Sequence, residues 1–185
     1  MRFHYNRLDR NLVDAVAYAN SLERKDAFWD AIALRGGFDE SALNGARIAA
    51  LLRAPYPTVT VRLQIFPSLK TNAATDPNHP WQIFYARFKR GRSVASIVNT
   101  LVHEFVHNVD MFGDGARGID FGHGNQSSVG KEETAPYWIG DLAERIYRAE
   151  TGQAAEKDME EAFEEDFSID PAGTIPDDAD LPQHD

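Results

Sequence analysis

His103 and His107 stand four residues apart, and Glu104 directly follows the first of them. On a helix, positions i and i+4 lie one above the other on the same face. Two imidazoles so placed can grip one metal ion. Zinc suits them, because it takes neutral histidine nitrogen readily and tolerates a tetrahedral site with one position left open. Glu104 comes one residue on, about 100° round the helix, so it flanks the metal rather than binding it. From there its carboxylate can take a proton from a water that the metal has made acidic.

The residues around this cluster predict the helix it needs. Ser93 to Val102 contains no Gly or Pro, and Ile97, Leu101, Phe105 and Val109 recur every four residues with Val98, Val102 and Val106 beside them. One broad face is apolar, so the helix is expected to be largely buried, with His103, Glu104 and His107 at its edge facing a cleft. A buried helix that carries three polar groups at such an edge needs a reason for them. The plainer reading is two histidines satisfied by hydrogen bonds in the core.

Thr100-Leu101-Val102-His103-Glu104-Phe105-Val106-His107-Asn108-Val109 resembles the extended H-E-x-x-H signature of the zincins, with a β-branched start, uncharged neighbours, no Pro and an apolar end. The resemblance implies an α+β, zincin-like fold with N-terminal helices, a small twisted sheet over the H-E-x-x-H helix and a C-terminal helix. It also implies zinc peptidase activity, and an edge strand along the cleft that pairs with extended substrate.

A catalytic zinc site needs a third protein ligand besides His103 and His107. The candidates are Asp110, His123, Glu132 and Glu133. Asp110 lies three residues past His107 and would have to bend back over the helix end. It is better placed to orient an imidazole that already holds the metal. His123 is flanked by Gly122 and Gly124, and such a loop can fold back with little steric cost. The order His103-Glu104-x-x-His107, loop, His123-Gly124 resembles the SprT-like (Spartan) proteases over residues 97–126, which implies His123 as the third ligand. After Gly124, however, Asn125-Gln126 stands where that family has an acidic-aromatic pair, and no cysteine ribbon follows. Glu132 or Glu133 would instead follow the gluzincin arrangement, with spacing similar to that of the ImmA-like peptidases. Acids there are also favoured simply by the dipole of the next helix. Tyr137 could donate a hydrogen bond to an oxyanion, as zincin tyrosines do, or serve as core. His4, His79 and His184 have no such setting.

The rest of the chain supplies the elements. Residues 8–34 read as helix with a break near Ser21 or Asp26, and 41–53 as a second helix capped by Asp39 or Ser41. Thr58 to Phe66 alternates Val59, Val61, Leu63 and Ile65 with polar residues and reads as a strand. Residues 68–80 read as loop and Trp81 to Phe88 as a second strand. The motif helix runs to about Phe112, an irregular loop spans Gly113 to Gln126, and Thr134-Ala135-Pro136 opens a helix over roughly 136–150.

The formal charge is −10, but it is unevenly spread: residues 151–185 hold twelve of the 29 acids and one of the 19 bases, which leaves 17 against 18 in residues 1–150. The reading is one zincin-like domain over 1–150 and an acidic, partly disordered tail over 151–185. Met159, Phe163 and Phe167 are four apart in that tail, so 155–167 is expected to form a short helix docked on the body. A near-neutral body argues against a general nucleic-acid surface. Without cysteine there is no disulfide and no thiol nucleophile. With no long apolar run, neither a signal peptide nor a membrane span is expected, and a cytoplasmic place follows as the default. The expected activity is zinc-dependent hydrolysis of protein or peptide substrates with Glu104 as general base. A hydrolase of other amides is less suited: peptide deformylase shares the motif but needs a cysteine ligand. The non-enzymatic alternative is a zincin-like binding or regulatory module with a structural metal, which would have no need of Glu104.

Overall fold

A computed structural model describes residues 1–113, 121–123 and 130–153. In chain order its elements are β1 (Phe3–His4), α1 (Arg10–Ser21), α2 (Asp26–Ala33), α3 (Gly45–Leu52), β2 (Val59–Gln64), β3 (Ala73–Ala74), β4 (Gln82–Ala86), α4 (Val94–Phe112) and α5 (Ala135–Thr151). The class is α+β, as expected. No helix among the described residues is long and apolar enough to cross a membrane. The acidic segment from 154 onward, with Met159, Phe163 and Phe167, lies outside the described residues, as do 114–120 and 124–129.

The expected break in the first helical stretch is a 3₁₀ turn at Leu22–Arg24 between α1 and α2. The cap of α3 differs from expectation. It is Asn44, whose side chain accepts from the Arg47 amide at 2.9 Å. Ser41 is engaged in a turn of its own, accepting from the Leu43 amide at 3.0 Å. Asp39 is drawn to the start of α5, where its amide donates to the Glu133 carbonyl at 3.0 Å.

The sheet order is β1-β2-β4-β3. The first three strands are parallel and β3 runs antiparallel to β4 at the edge, with Ala73 opposite Tyr85 and Ala74 opposite Phe84. The alternating stretch yields β2, with Val59 and Val61 buried, but the strand stops at Gln64 and Ile65 stands 60% exposed. β4 likewise stops at Ala86 and turns through a 3₁₀ segment, Arg87–Lys89. Two short strands were not expected: β1, and β3 inside the segment read as loop. Each has only two residues, too few to show a period.

α4 is capped by Ser93, whose hydroxyl accepts from the Ser96 amide. Its buried face includes Ile97, Leu101, Phe105 and Val109, as the four-residue recurrence requires. Phe105 meets Phe3 of β1 edge-on at 5.7 Å between centroids. α4 packs most extensively on α5, then on α1, and touches β3 and β4. The approach to α5 depends on Gly140. A Cβ there would stand 2.5 Å from Asn99 Oδ1 and 3.0 Å from the Asn99 carbonyl. Asn99 cannot swing aside freely, since its amide donates to Asp141 at 2.8 Å and Glu144 at 2.9 Å.

Two effects of opposite sign therefore meet at Gly140. Alanine gains about 1 kcal/mol of helix propensity over glycine. Overpacking a tight contact costs about 1–3 kcal/mol. Because the clashing Asn99 side chain is held by two hydrogen bonds and its carbonyl is also close, overpacking wins, and Gly140→Ala is expected to lower the urea midpoint. A raised midpoint would show that α4 and α5 separate without cost.

Candidate metal centre

α4 carries His103 and His107 one turn apart, His103 buried and His107 half-buried. His123 comes to the same point from the loop that follows α4. The Nε2 of His107 lies 3.2 Å from that of His103 and 3.2 Å from that of His123, and the third side of the triangle is 3.4 Å. Three nitrogens bound at about 2.05 Å to one tetrahedral ion stand about 3.3 Å apart. The three histidines therefore lie close enough to hold a metal ion.

Hydrogen bonding alone cannot account for the triangle. A neutral imidazole nitrogen is either a donor or an acceptor. Each side needs one of each, and three corners with two states cannot satisfy three sides. At least one side sets lone pair against lone pair or N–H against N–H. A cation facing three acceptors removes the conflict, so the donor set fits a metal.

Protonation is disfavoured as well. Burial, followed by the charges of His107 and His123, holds His103 well below the ordinary imidazole range. Burial, followed by the charge of His123, lowers His107 to about 3. Neutral imidazole is the ligand form.

The sequence brings His123 in by three local devices. Phe121 is fully buried and anchors the returning loop. Its amide donates to Asp110 Oδ1 at 2.7 Å, which ties the loop to the last turn of α4. Gly122 fits between: a Cβ there would lie 2.6 Å from Asp110 Oδ2 and 3.3 Å from His107 Nδ1. Asp110 is not a member of the histidine group, and through Oδ1 it fixes the loop that carries His123. Glycine at 122 meets a need for space, in keeping with the low steric cost expected of the glycine-flanked loop.

α5 closes the other side. The Tyr137 ring stacks on His123 at 4.9 Å and 26° and meets His103 edge-on at 4.5 Å. Contacts at the start of α5 hold it there: Arg35 pairs with Glu133, and Phe38 meets Trp138 at 5.6 Å. Glu132 and Glu133 are exposed, and neither joins the histidine group. Glu133 is engaged by Arg35, while Glu132 Oε1 accepts from the Gly130 amide at 3.4 Å. His79 pairs with Asp76 at 2.8 Å, and His4 lies on β1.

Glu104 is only 1% exposed. Its Oε2 accepts from the Thr75 hydroxyl at 2.8 Å, and Asn108 donates to Thr75 Oγ1 and to the Glu104 carbonyl, both at 3.0 Å. The sequence reading missed Thr75 and Asn108. Asn108 was findable, being four residues after Glu104; Thr75 carries no local signal. Comparison with family models, curated proteins and solved structures gives no match to this chain.

Two outcomes are expected. His123→Ala should lower zinc affinity by at least tenfold in metal titration, while Glu132→Ala and Glu133→Ala bind as wild type; loss of zinc in a Glu variant alone would move the third ligand. The second concerns pH. His103 and His107 are depressed on folding, with His107 near 3. Below the unfolded value of about 6.5 the unfolded chain binds protons that the native chain does not. Stability of the metal-free protein should thus be full above about 6.5 and fall as pH drops toward 3. Urea midpoints at pH 7 and pH 5 would check it, with His103→Phe flattening the difference.

Proposed function

We propose that this protein is a zinc-dependent peptidase of zincin type, with His103, His107 and His123 as metal ligands and Glu104 as general base. The observation that carries the reading is the near-equilateral Nε2 triangle, whose sides match a tetrahedral zinc face, with a buried, anchored carboxylate one residue from the first ligand.

The ion, when bound, supplies a Lewis acid that polarises the peptide carbonyl and acidifies water. Glu104 accepts the proton of the attacking water and returns it to the leaving amine. Burial of the Glu104 carboxylate excludes bulk water from that exchange and strengthens its electrostatics. The substrate is a peptide in extended conformation. The edge position of β3, directly before the residue that bonds Glu104, favours main-chain pairing of substrate along that edge. Tyr137 packs on two of the ligand rings and so restricts their rotation. The Gly-His-Gly sequence, together with a metal-competent group that among the described residues includes His123 but neither Glu132 nor Glu133, favours the SprT-like arrangement over the gluzincin one.

Glu104→Gln should retain zinc and the melting profile yet cleave a peptide library or casein on the order of 10²–10⁴-fold more slowly. Equal rates for variant and wild type would remove the general-base role. Zinc binding with no cleavage by the wild type would leave a metal-holding module in its place.

A further inference from the structure

We propose that Thr75 is a positioning residue for this reaction: through its hydroxyl it fixes the carboxylate plane of Glu104 and ties the base to the edge strand. The inference rests on the peptidase reading above.

A glutamate carboxylate on a helix does not fix its own orientation, because rotation about its last bond is broad and roughly two-fold. Something outside the helix must hold it. Thr75 is the residue directly after β3, and its side chain is buried against α4. A hydroxyl has one proton and two lone pairs. Asn108 Nδ2 donates to Thr75 Oγ1 at 3.0 Å and so occupies a lone pair. The Thr75 proton then goes to Glu104 Oε2 at 2.8 Å, the shorter of its two contacts with that residue, since the Glu104 carbonyl lies at 3.3 Å. Asn108 is itself fixed by donating to the Glu104 carbonyl one turn back at 3.0 Å. The order Asn108, Thr75, Glu104 is therefore a directed chain, with the Gln82 carbonyl a longer third acceptor for Asn108 Nδ2 at 3.4 Å. It runs between two elements, α4 and the strand edge, so any peptide registered on β3 is registered on the base as well. Ala73 and Ala74 are held by their pairing with Tyr85 and Phe84, which makes the anchor rigid.

Valine at 75 keeps the shape and removes the donor; serine keeps the donor. The experiment compares wild type, Thr75→Val, Thr75→Ser, Glu104→Gln and the double variant Thr75→Val/Glu104→Gln. Steady-state peptide cleavage, melting temperature and the visible absorption of the cobalt(II)-loaded proteins are measured for each. Thr75→Val should lose on the order of 10²-fold in kcat, the scale of a small misplacement at a reacting group, with KM and the cobalt spectrum unchanged. Thr75→Ser should recover most of the loss. In the Glu104→Gln background Thr75→Val should cost nothing further, because the group it positions is gone. A Thr75→Val variant as fast as wild type, a serine variant as slow as valine, an equal loss in the Glu104→Gln background, or an altered cobalt spectrum would each overturn the proposal. Equal rates for wild type and Glu104→Gln would overturn the general-base role and the proposal with it, whereas zinc binding with no cleavage by the wild type would overturn the peptidase reading itself, an outcome distinct from all of these.

Discussion

Three imidazole nitrogens share one small volume, and their contacts cannot all be favourable at once. The sides of 3.2, 3.2 and 3.4 Å are hydrogen-bond distances, yet no assignment of protons makes all three into hydrogen bonds. Left to themselves the rings would rotate apart and take partners elsewhere. Covalent continuity keeps His103 and His107 on one helix face, but nothing in the helix keeps His123 there. The surrounding structure opposes that separation from several directions.

One direction is the loop. A buried Phe121 and the bond from its amide to Asp110 fix the two residues before His123, and Gly122 leaves room for both the carboxylate and the His107 ring. A second is α5, whose Tyr137 ring lies against His103 and His123. Its distance from α4 is set by Gly140 over Asn99. A third is the contact of residues 35–40 with the start of α5, through the Arg35–Glu133 pair and the Asp39 amide. These three restraints come from separate parts of the chain. The triangle is thus held by the anchored loop, by a Tyr137 ring that packs on two of its members, and by contacts that fix the start of the helix carrying that ring.

What the sequence showed of this follows the range of the interactions. The motif helix was legible to within a residue or two, because its period and its lack of Gly and Pro are local facts, as were the break near Ser21 and the Thr134-Ala135-Pro136 start of α5. His123 was legible through its glycine neighbours, although the closest constraint there is the space left for Asp110. What was hidden came from partners far along the chain. β1 and β3 exist only because β2 and β4 lie beside them. Asp39 is drawn to the start of α5 by the bond of its amide to the Glu133 carbonyl, nearly a hundred residues on, and α3 begins only at Gly45. Thr75 sits in a stretch of Asn, Asp and Pro that reads as loop, and it gains meaning only by meeting Glu104. Ile65 fitted the strand alternation but fell past the point where β4 still pairs with β2.

The same burial that depresses the histidines also decides when the site's protons are lost. In a flexible chain, neutral imidazole forms only as pH rises through about 6.5, and a metal entering below that point must displace protons. Here His103 and His107 lose theirs on folding, through removal from water and the mutual proximity of the rings. Neutralising these imidazoles is thus a cost met on folding rather than by any ion they would hold. A ligand that binds only the native state stabilises it in proportion to the logarithm of its concentration over its dissociation constant. With ligands already neutral and fixed in place, less of the binding free energy is consumed by proton release and side-chain ordering, and more remains as affinity. Preorganisation of this kind also limits adjustment: rings pinned by Tyr137 and the Phe121 loop accept one coordination radius and one set of angles well. The restraints that hold the frustrated triangle together are therefore the same ones that would choose among ions by size and preferred geometry.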